Sequence, residues 1–398
     1  MAPPGLASTS VSELQHADVV VVGGGVIGLT IAWRARQAGM SVVVLERDTV
    51  GAATSKVAAG MLAPVAEVEF GEGGRRVLEL GLRSAVSWPA FASELELATG
   101  VSVGLLRTGT LVAARDEDDA RELERQLEFR QSLGLAVRRL LPSEARELEP
   151  ALAPTVRLAL EAPDDHSVDP RMVLAALARA CVSSGVDVRS HAPVARIALD
   201  SAGERVTGVT LADGETLSGG HVVVAAGPWS EQIEGLPGGA GIPVRPVKGQ
   251  ILRLRDPAGP GLLTRVLRFR DGYLVPREDG GYVLGATVEE RGFELAPTAG
   301  GVYELLRRAR ELVPGIIELH IEELSVGLRP GTPDNAPAIG CGALDGLVWA
   351  TGHYRNGILL APLTAELVVG LLGGGEPDPL LAACAPGRFP SAIGEPVA

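Results

Sequence analysis

The glycine cluster Gly23-Gly24-Gly25-Val26-Ile27-Gly28 constrains this chain most. It follows the apolar run DVVVVG (Asp18–Gly23) and opens a helical pattern that reaches Gln37. A short β-branched run ending in glycine predicts a buried strand. Gly39 closes the helix, and SVVVLE (Ser41–Glu46) predicts a second buried strand. Strand, helix and strand in this span form a βαβ unit with parallel pairing and a right-handed crossover. In such a G-x-G-x-x-G turn, Gly23 permits the tight bend, Gly25 lets a pyrophosphate approach the backbone, and Gly28 lets helix and strand pack closely. The helix N-terminus offers unsatisfied N–H groups to that anion. Glu46 ends the second strand where a carboxylate can accept hydrogen bonds from an adenosine ribose and repel a 2′-phosphate. The bland alternative is an ordinary glycine turn; the register of strand, helix, strand and terminal acid favours a dinucleotide site.

At 398 residues, with 46% hydrophobic, the chain exceeds one simple core, and two domains are expected. No apolar run approaches the ~20 residues that span a bilayer. The opening residues have neither a basic start nor an apolar stretch, so they read as a tail over 1–17 rather than a secretory signal. The net charge of -13 argues against nucleic acid, which demands clustered Lys and Arg. Cys181, Cys341 and Cys384 lie far apart with no C-x-x-C pair, which suits a reducing cytoplasm and gives no disulfide framework. The histidines show no metal-ligand spacing, and no metal is expected.

The pattern loosens after Gly60. Leu106–Ala114 predicts a turn and strand, Glu117–Leu133 a charged amphipathic helix, and Pro142–Pro150 a short one. Asp169, Pro170 and Gly185 supply the N-cap, first position and stop of a clear helix. VDVRS, PVARIALD, ERVTGVTLA and GETLSGGHVVVAAG follow as strands. A second strand-rich section runs from Pro243–Arg255 through YLVPR, YVLGAT and EELSVGLRP, interrupted by a helix over Ala299–Leu312. Leu347–Thr351 is a strand and Gly357–Leu372 a helix. Two domains thus alternate along the chain. The nucleotide domain takes 18–90, 151–243 and 328–376; the second takes 91–150 and 244–327; tails occupy 1–17 and 377–398.

The fingerprint alone leaves NAD and FAD open. Three segments favour FAD. Ala52–Gly60 offers Thr54, Ser55 and small residues where an extended dinucleotide needs hydroxyls and close approach. Pro193-Val194 can set backbone and an apolar side chain against adenine. His221–Ser230 has the strand-and-small-residue turn of a sheet returning beneath the nucleotide. Each, alone, could be a loop or a core strand.

Together with AAGMLAP, GLRPGTPDNAPAIG and GHYRNGILLAP, these segments resemble the D-amino acid oxidase-like flavoprotein family, and most closely its glycine oxidase branch, which supplies the imine for the thiazole of thiamine. The likeness runs from about residue 18 to 375. It implies an α/β fold: a Rossmann-like FAD-binding domain with a second α+β substrate domain on a mainly antiparallel sheet. It implies a cytoplasmic homo-oligomer that oxidises a small amino acid with molecular oxygen, releasing hydrogen peroxide and an imino acid that water hydrolyses. Carried onto this sequence, the family's cofactor cradle comprises the glycine turn with Val26 and Ile27, then Glu46, Arg47, Thr54, Ser55, Ala59, Gly60, Met61 and Val194. It continues through Ala226, Gly227, Trp229, His353, Arg355, Asn356, Gly357 and Ile358. Arg329 falls where the family binds the substrate carboxylate, a task suited to a planar guanidinium. Tyr273 falls on an active-site tyrosine, Arg355 beside the flavin edge and Met61 over its ring. Without the resemblance Arg329 would read as a salt-bridge residue, Tyr273 as a half-buried strand residue and His353 as a structural hydrogen-bonder.

Two departures matter. Val288 stands where the family's pocket carries a methionine, leaving room for an altered substrate range. In sarcosine oxidase relatives a cysteine precedes the T-P-D proline and bonds the flavin; the same spacing from Pro333 reaches Gly327, so FAD is expected to be non-covalent. Cys341 is expected buried or inert. Asp271 receives no role. Rival readings are a sarcosine or D-amino acid oxidase, a dehydrogenase with another acceptor, an NAD-linked enzyme lacking the GHYRNG loop, and a non-catalytic flavin protein.

Overall fold

The computed structural model describes residues 15–389. Residues 1–14 and 390–398, which hold most of the expected N-terminal tail and the end of the C-terminal one, lie outside the described residues. Strand β1 (His16–Val22) starts inside the expected tail. The stretch from 377 is likewise docked: Leu381–Cys384 is helical, and Asp378 and Arg388 pair with Arg83 and Asp334.

β1 hydrogen-bonds in parallel to β2 (Val42–Leu45) through the helix α1 (Val26–Gln37), as the glycine turn predicts. The valine run of β1 is buried on both faces. Val19 and Val21 join a core under α1 and the helices Pro170–Ser184 and Gly357–Leu372, while Val20 and Val22 join a core on the opposite face. Burying each valine is worth about 1.5–3 kcal/mol, which explains why alternation is absent from this strand. The sheet continues in parallel to Thr216–Val224, Leu347–Thr351 and Asp187–Arg189, and in antiparallel to Ala338–Cys341 at one edge.

The second sheet also has eight strands, in the order His320–Gly331, Arg245–Arg255, Gly281–Gly285, Gly272–Pro276, Val266–Phe269, Thr110–Ala114, Leu158–Ala162, Arg138–Leu140. All its pairings are antiparallel except that of Val266–Phe269 with Thr110–Ala114. It is the mainly antiparallel sheet expected. His320–Gly331 belongs to it whole, so this sheet reaches past the expected boundary at 327.

The stretch that reads as loose after Gly60 contains the longest helix among the described residues, Glu72–Thr99. Gly81, Ser84 and Pro89 are weak helix formers. Packing supplies what propensity lacks: Leu80, Trp88, Phe91 and Leu95 enter the main core, and the Ser84 hydroxyl and Trp88 indole both donate to the Leu359 carbonyl. No helix among the described residues is long and apolar enough to cross a membrane.

Candidate active site

At the nucleotide end, sterics account for the glycines. Gly23 has φ +111°, and a Cβ there would lie 2.5 Å from the Ala225 carbonyl oxygen; one on Gly28 would lie 1.9 Å from the Gly23 oxygen. At Gly25 an added Cβ meets only the Ser55 hydroxyl, at 3.3 Å, so this side of α1 faces open space. Ser55 accepts the Val26 N–H at 3.1 Å. Thr54, expected at the pyrophosphate, donates to the Leu328 carbonyl at 2.8 Å and ties its loop to the strand that carries Arg329. The Glu46 carboxylate accepts the Gly24 N–H at 2.8 Å and the Asp48 N–H at 3.0 Å. Each oxygen keeps capacity for a ribose hydroxyl. Arg47 lies 3.7 Å over the Trp229 ring, and both line the cavity, as does Val194.

The other end is built on the second sheet. Arg329 donates to the carbonyls of Thr287 (3.1 Å) and Lys248 (3.3 Å), and among the described residues it makes no ion pair with a carboxylate. Its guanidinium lies across Gly249, where a Cβ would be 2.5 Å from Nη2. Tyr273 lies in the same way across Gly285, its strand partner, whose added Cβ would meet the phenol oxygen at 2.5 Å. Burial raises the Tyr273 phenol above its ordinary pKa, against the guanidiniums of Arg329 and Arg355. Burial also works against the charge of Arg355, but Glu67, Tyr354 and Glu69 outweigh it and the net shift is upward. Met61 packs beside Ala59, Ile251 and Tyr273.

His353 is buried and shares a 3.0 Å hydrogen bond with Thr364; burial pushes its pKa down to about 3. It lines the cavity while engaged with Thr364, which suits a structural hydrogen-bonder. Two expected contacts sit elsewhere: Asn356 precedes the helix Gly357–Leu372, its N–H on the His353 carbonyl, and Gly28 serves packing, so neither lines the cavity. Cys341, expected buried or inert, is exposed; Cys181 and Cys384 are buried. Gly327 lines the cavity against Val57.

The sequence reading missed Gly249, Gly285, Glu67 and Arg268, which all belong to this site or its wall. Arg268 was within reach: Asp271-Gly272 is a hairpin signal, and Asp271 adopts φ 62° between VLRF and YLVP. Glu67 carries no such mark among 49 acidic residues.

One cavity of about 1120 Å³ joins the two ends, from Glu46 past Gly25, Ser55 and Gly60 to Tyr273 and Arg329. Small-molecule sites usually measure about 300–1,000 Å³, so this one suits a large cofactor with a small second ligand. The amide-lined turn, ribose acid and small-residue loop fit FAD.

Comparison with known proteins agrees. The chain is 38% identical over 386 residues to a protein named bifunctional protein ThiO/ThiG from Synechocystis, covering 96% of this chain and 55% of that one. It therefore spans about half the length of that relative. It is 38% identical over 357 residues to a glycine oxidase of Geobacillus kaustophilus, covering 89% and 92%. The crystal structure of glycine oxidase from Geobacillus kaustophilus superposes with a TM-score of 0.86 at 35% identity, over 94% of this chain and 99% of that one. The family model described as FAD dependent oxidoreductase (DAO) matches residues 18–371, and the chain belongs to that family.

Proposed function

We propose that this enzyme oxidises glycine, or another small amino acid, at its carbon–nitrogen bond with non-covalently held FAD. One observation carries the reading: a half-buried guanidinium without a carboxylate partner among the described residues stands at one end of the cavity whose other end is the dinucleotide turn. Arg329 takes the substrate carboxylate through two parallel N–H···O bonds, which fixes orientation as well as charge. The Tyr273 hydroxyl donates beside it. FAD held by the α1 glycine turn and Glu46 would supply the acceptor for the Cα hydride and the route for its electrons to oxygen. The amine binds neutral, so its lone pair assists and no protein base is required. His353 fits this, being neutral, buried and engaged with Thr364. The imino acid adds water and releases ammonia.

The balanced reaction converts glycine, oxygen and water to glyoxylate, ammonia and hydrogen peroxide. By likeness to the ThiO part of its relatives, the imine serves thiazole construction for thiamine. The three unpaired thiols suit the expected cytoplasmic setting. Val288 lines the cavity with a shorter side chain than the expected methionine, which favours sarcosine and small D-amino acids as additional substrates. An aerobic panel of glycine, sarcosine and D-alanine with peroxide and ammonia readouts tests this. Glycine turnover supports the reading; absence of both products with every small amino acid rejects it.

A further inference from the structure

The sheet beneath Tyr273 continues beyond the pocket. Tyr273 stands opposite Arg268 in the next strand, and Arg268 opposite Val112 in the one after. Directly opposed residues project from the same face, so these three side chains form one floor. A second cavity of about 710 Å³ opens on it past Arg268, between the helix Glu117–Ser132 and the loop around Ala66–Phe70. Val112, Glu122 and Gln126 line it.

Four residues line both cavities: Glu67, Arg268, Asp271 and Arg355. They form a partition of two acids and two bases with no apolar plug. Its ion pairs are long: Glu67–Arg268 at 3.3 Å, Arg355–Glu69 at 3.6 Å and Arg308–Asp271 at 4.0 Å. The Arg355–Glu69 and Arg308–Asp271 pairs, whose carboxylates are exposed, separate at little cost, whereas Arg268 is mostly buried and also donates to the Ala66 carbonyl at 2.6 Å. The backbone that carries them is fixed. Arg130 donates to the Val65 and Ala66 carbonyls at 2.8 and 2.9 Å, and Asp165 accepts the N–H groups of the same two residues at 3.2 and 2.6 Å. The ends of Asp271 and Arg355 can therefore swing while the frame, with Arg268 bonded to it, holds. The Tyr273 phenol feels Arg329, Glu67 and Arg355 together, which sets the partition at the substrate end of the main cavity.

We propose that the second cavity is the substrate entrance, and that Glu67, Arg268, Asp271 and Arg355 form a charged gate selecting small zwitterions. An entering amino acid presents its ammonium to Glu67 and its carboxylate to Arg268 or Arg355, replacing the long ion pairs with its own. It then passes its carboxylate to Arg329 and gives up its ammonium proton to solvent water, so that the amine binds neutral. A molecule without both charges cannot replace the pairs it breaks, so the gate discriminates before the flavin is reached. The inference rests on the amino-acid oxidase reading. The rival entrance is the main cavity's exposed edge at Gly300 and Glu304.

A tethered block decides between them. Glu122→Cys and Glu304→Cys are each made with Cys341→Ser, which removes the exposed thiol. The FAD-loaded enzyme is assayed before and after labelling with a bulky maleimide, so each variant serves as its own folding control. Labelling at 122 should lower kcat/KM for glycine about tenfold while the limiting rate of anaerobic flavin bleaching stays unchanged. Labelling at 304 should change neither. No loss at 122, equal losses at both sites, or loss at 304 alone would overturn the route. An unlabelled enzyme that no small amino acid reduces would remove the reaction itself, and the route with it.

Discussion

Arg329 and Tyr273 owe their positions to side chains missing from the neighbouring strands, at Gly285 directly opposite Tyr273 and at Gly249 two residues along from Arg329's partner Val247. Gly249 and Gly285 leave notches across which the guanidinium and the phenol lie. Arg329→Ala should weaken glycine binding by about 2–5 kcal/mol, the range for losing a desolvated charge pair, with FAD retained; anaerobic titration of the flavin band measures both. Gly249→Ala should displace the guanidinium, because the tip of a flexible side chain yields before backbone does. We expect KM for glycine to rise about tenfold or more with a small change in Tm, read by steady-state kinetics beside thermal melts. His353 gives a pH signature. Its folded pKa, about 3, lies below the unfolded value near 6.5. Its contribution to stability is therefore complete above about pH 6.5 and falls by at most about 1.4 kcal/mol per pH unit toward pH 3. His353→Gln should shed that decline, so the Tm difference between variant and parent should shift in the variant's favour from pH 7.5 to pH 5. At this scale the sequence was partly legible. Arg329 was singled out by its flanking motif, whereas Gly249 looks like any strand glycine until the diagonal reach of Arg329 past Val247 is known.

Among elements, those whose local signals agreed with their tertiary surroundings were readable. The β1–α1–β2 unit, the Asp169-capped helix and the helix over Ala299–Leu312 appear where patterning placed them. The helix Glu72–Thr99 was not readable, because its glycines and proline oppose the helix and contacts from distant residues override them. The loop over Thr54–Met61 depends on equally distant support. Arg277 donates to the Ala59 carbonyl at 2.6 Å and lies 3.2 Å from Asp169, both largely buried. Arg277→Met should leave Asp169 with its capping bond to the Arg171 N–H but without its ion-pair partner, and cost about 3 kcal/mol of stability, with weaker FAD binding. Chemical denaturation and titration of apoprotein with FAD would check each effect; unchanged FAD affinity would show that the loop keeps its shape without Arg277.

Across the whole molecule, two sheets drawn from alternating stretches of chain enclose one cavity, and the α1 turn of one faces the Arg329 strand of the other. Alternation was visible in the order of strand-rich segments, while the shared cavity was not, since residues near 25 and near 329 come to it only through the fold, bridged by the Thr54–Ser55 turn. Seating a flavin and an amino acid together in that space is the central claim. Anaerobic addition of glycine to the purified yellow protein tests it most directly. The account predicts that the flavin's blue absorption band bleaches, saturably in the parent and only at far higher glycine in Arg329→Ala. An unbleached band with glycine, sarcosine and small D-amino acids alike, or equal saturation in both proteins, would contradict it.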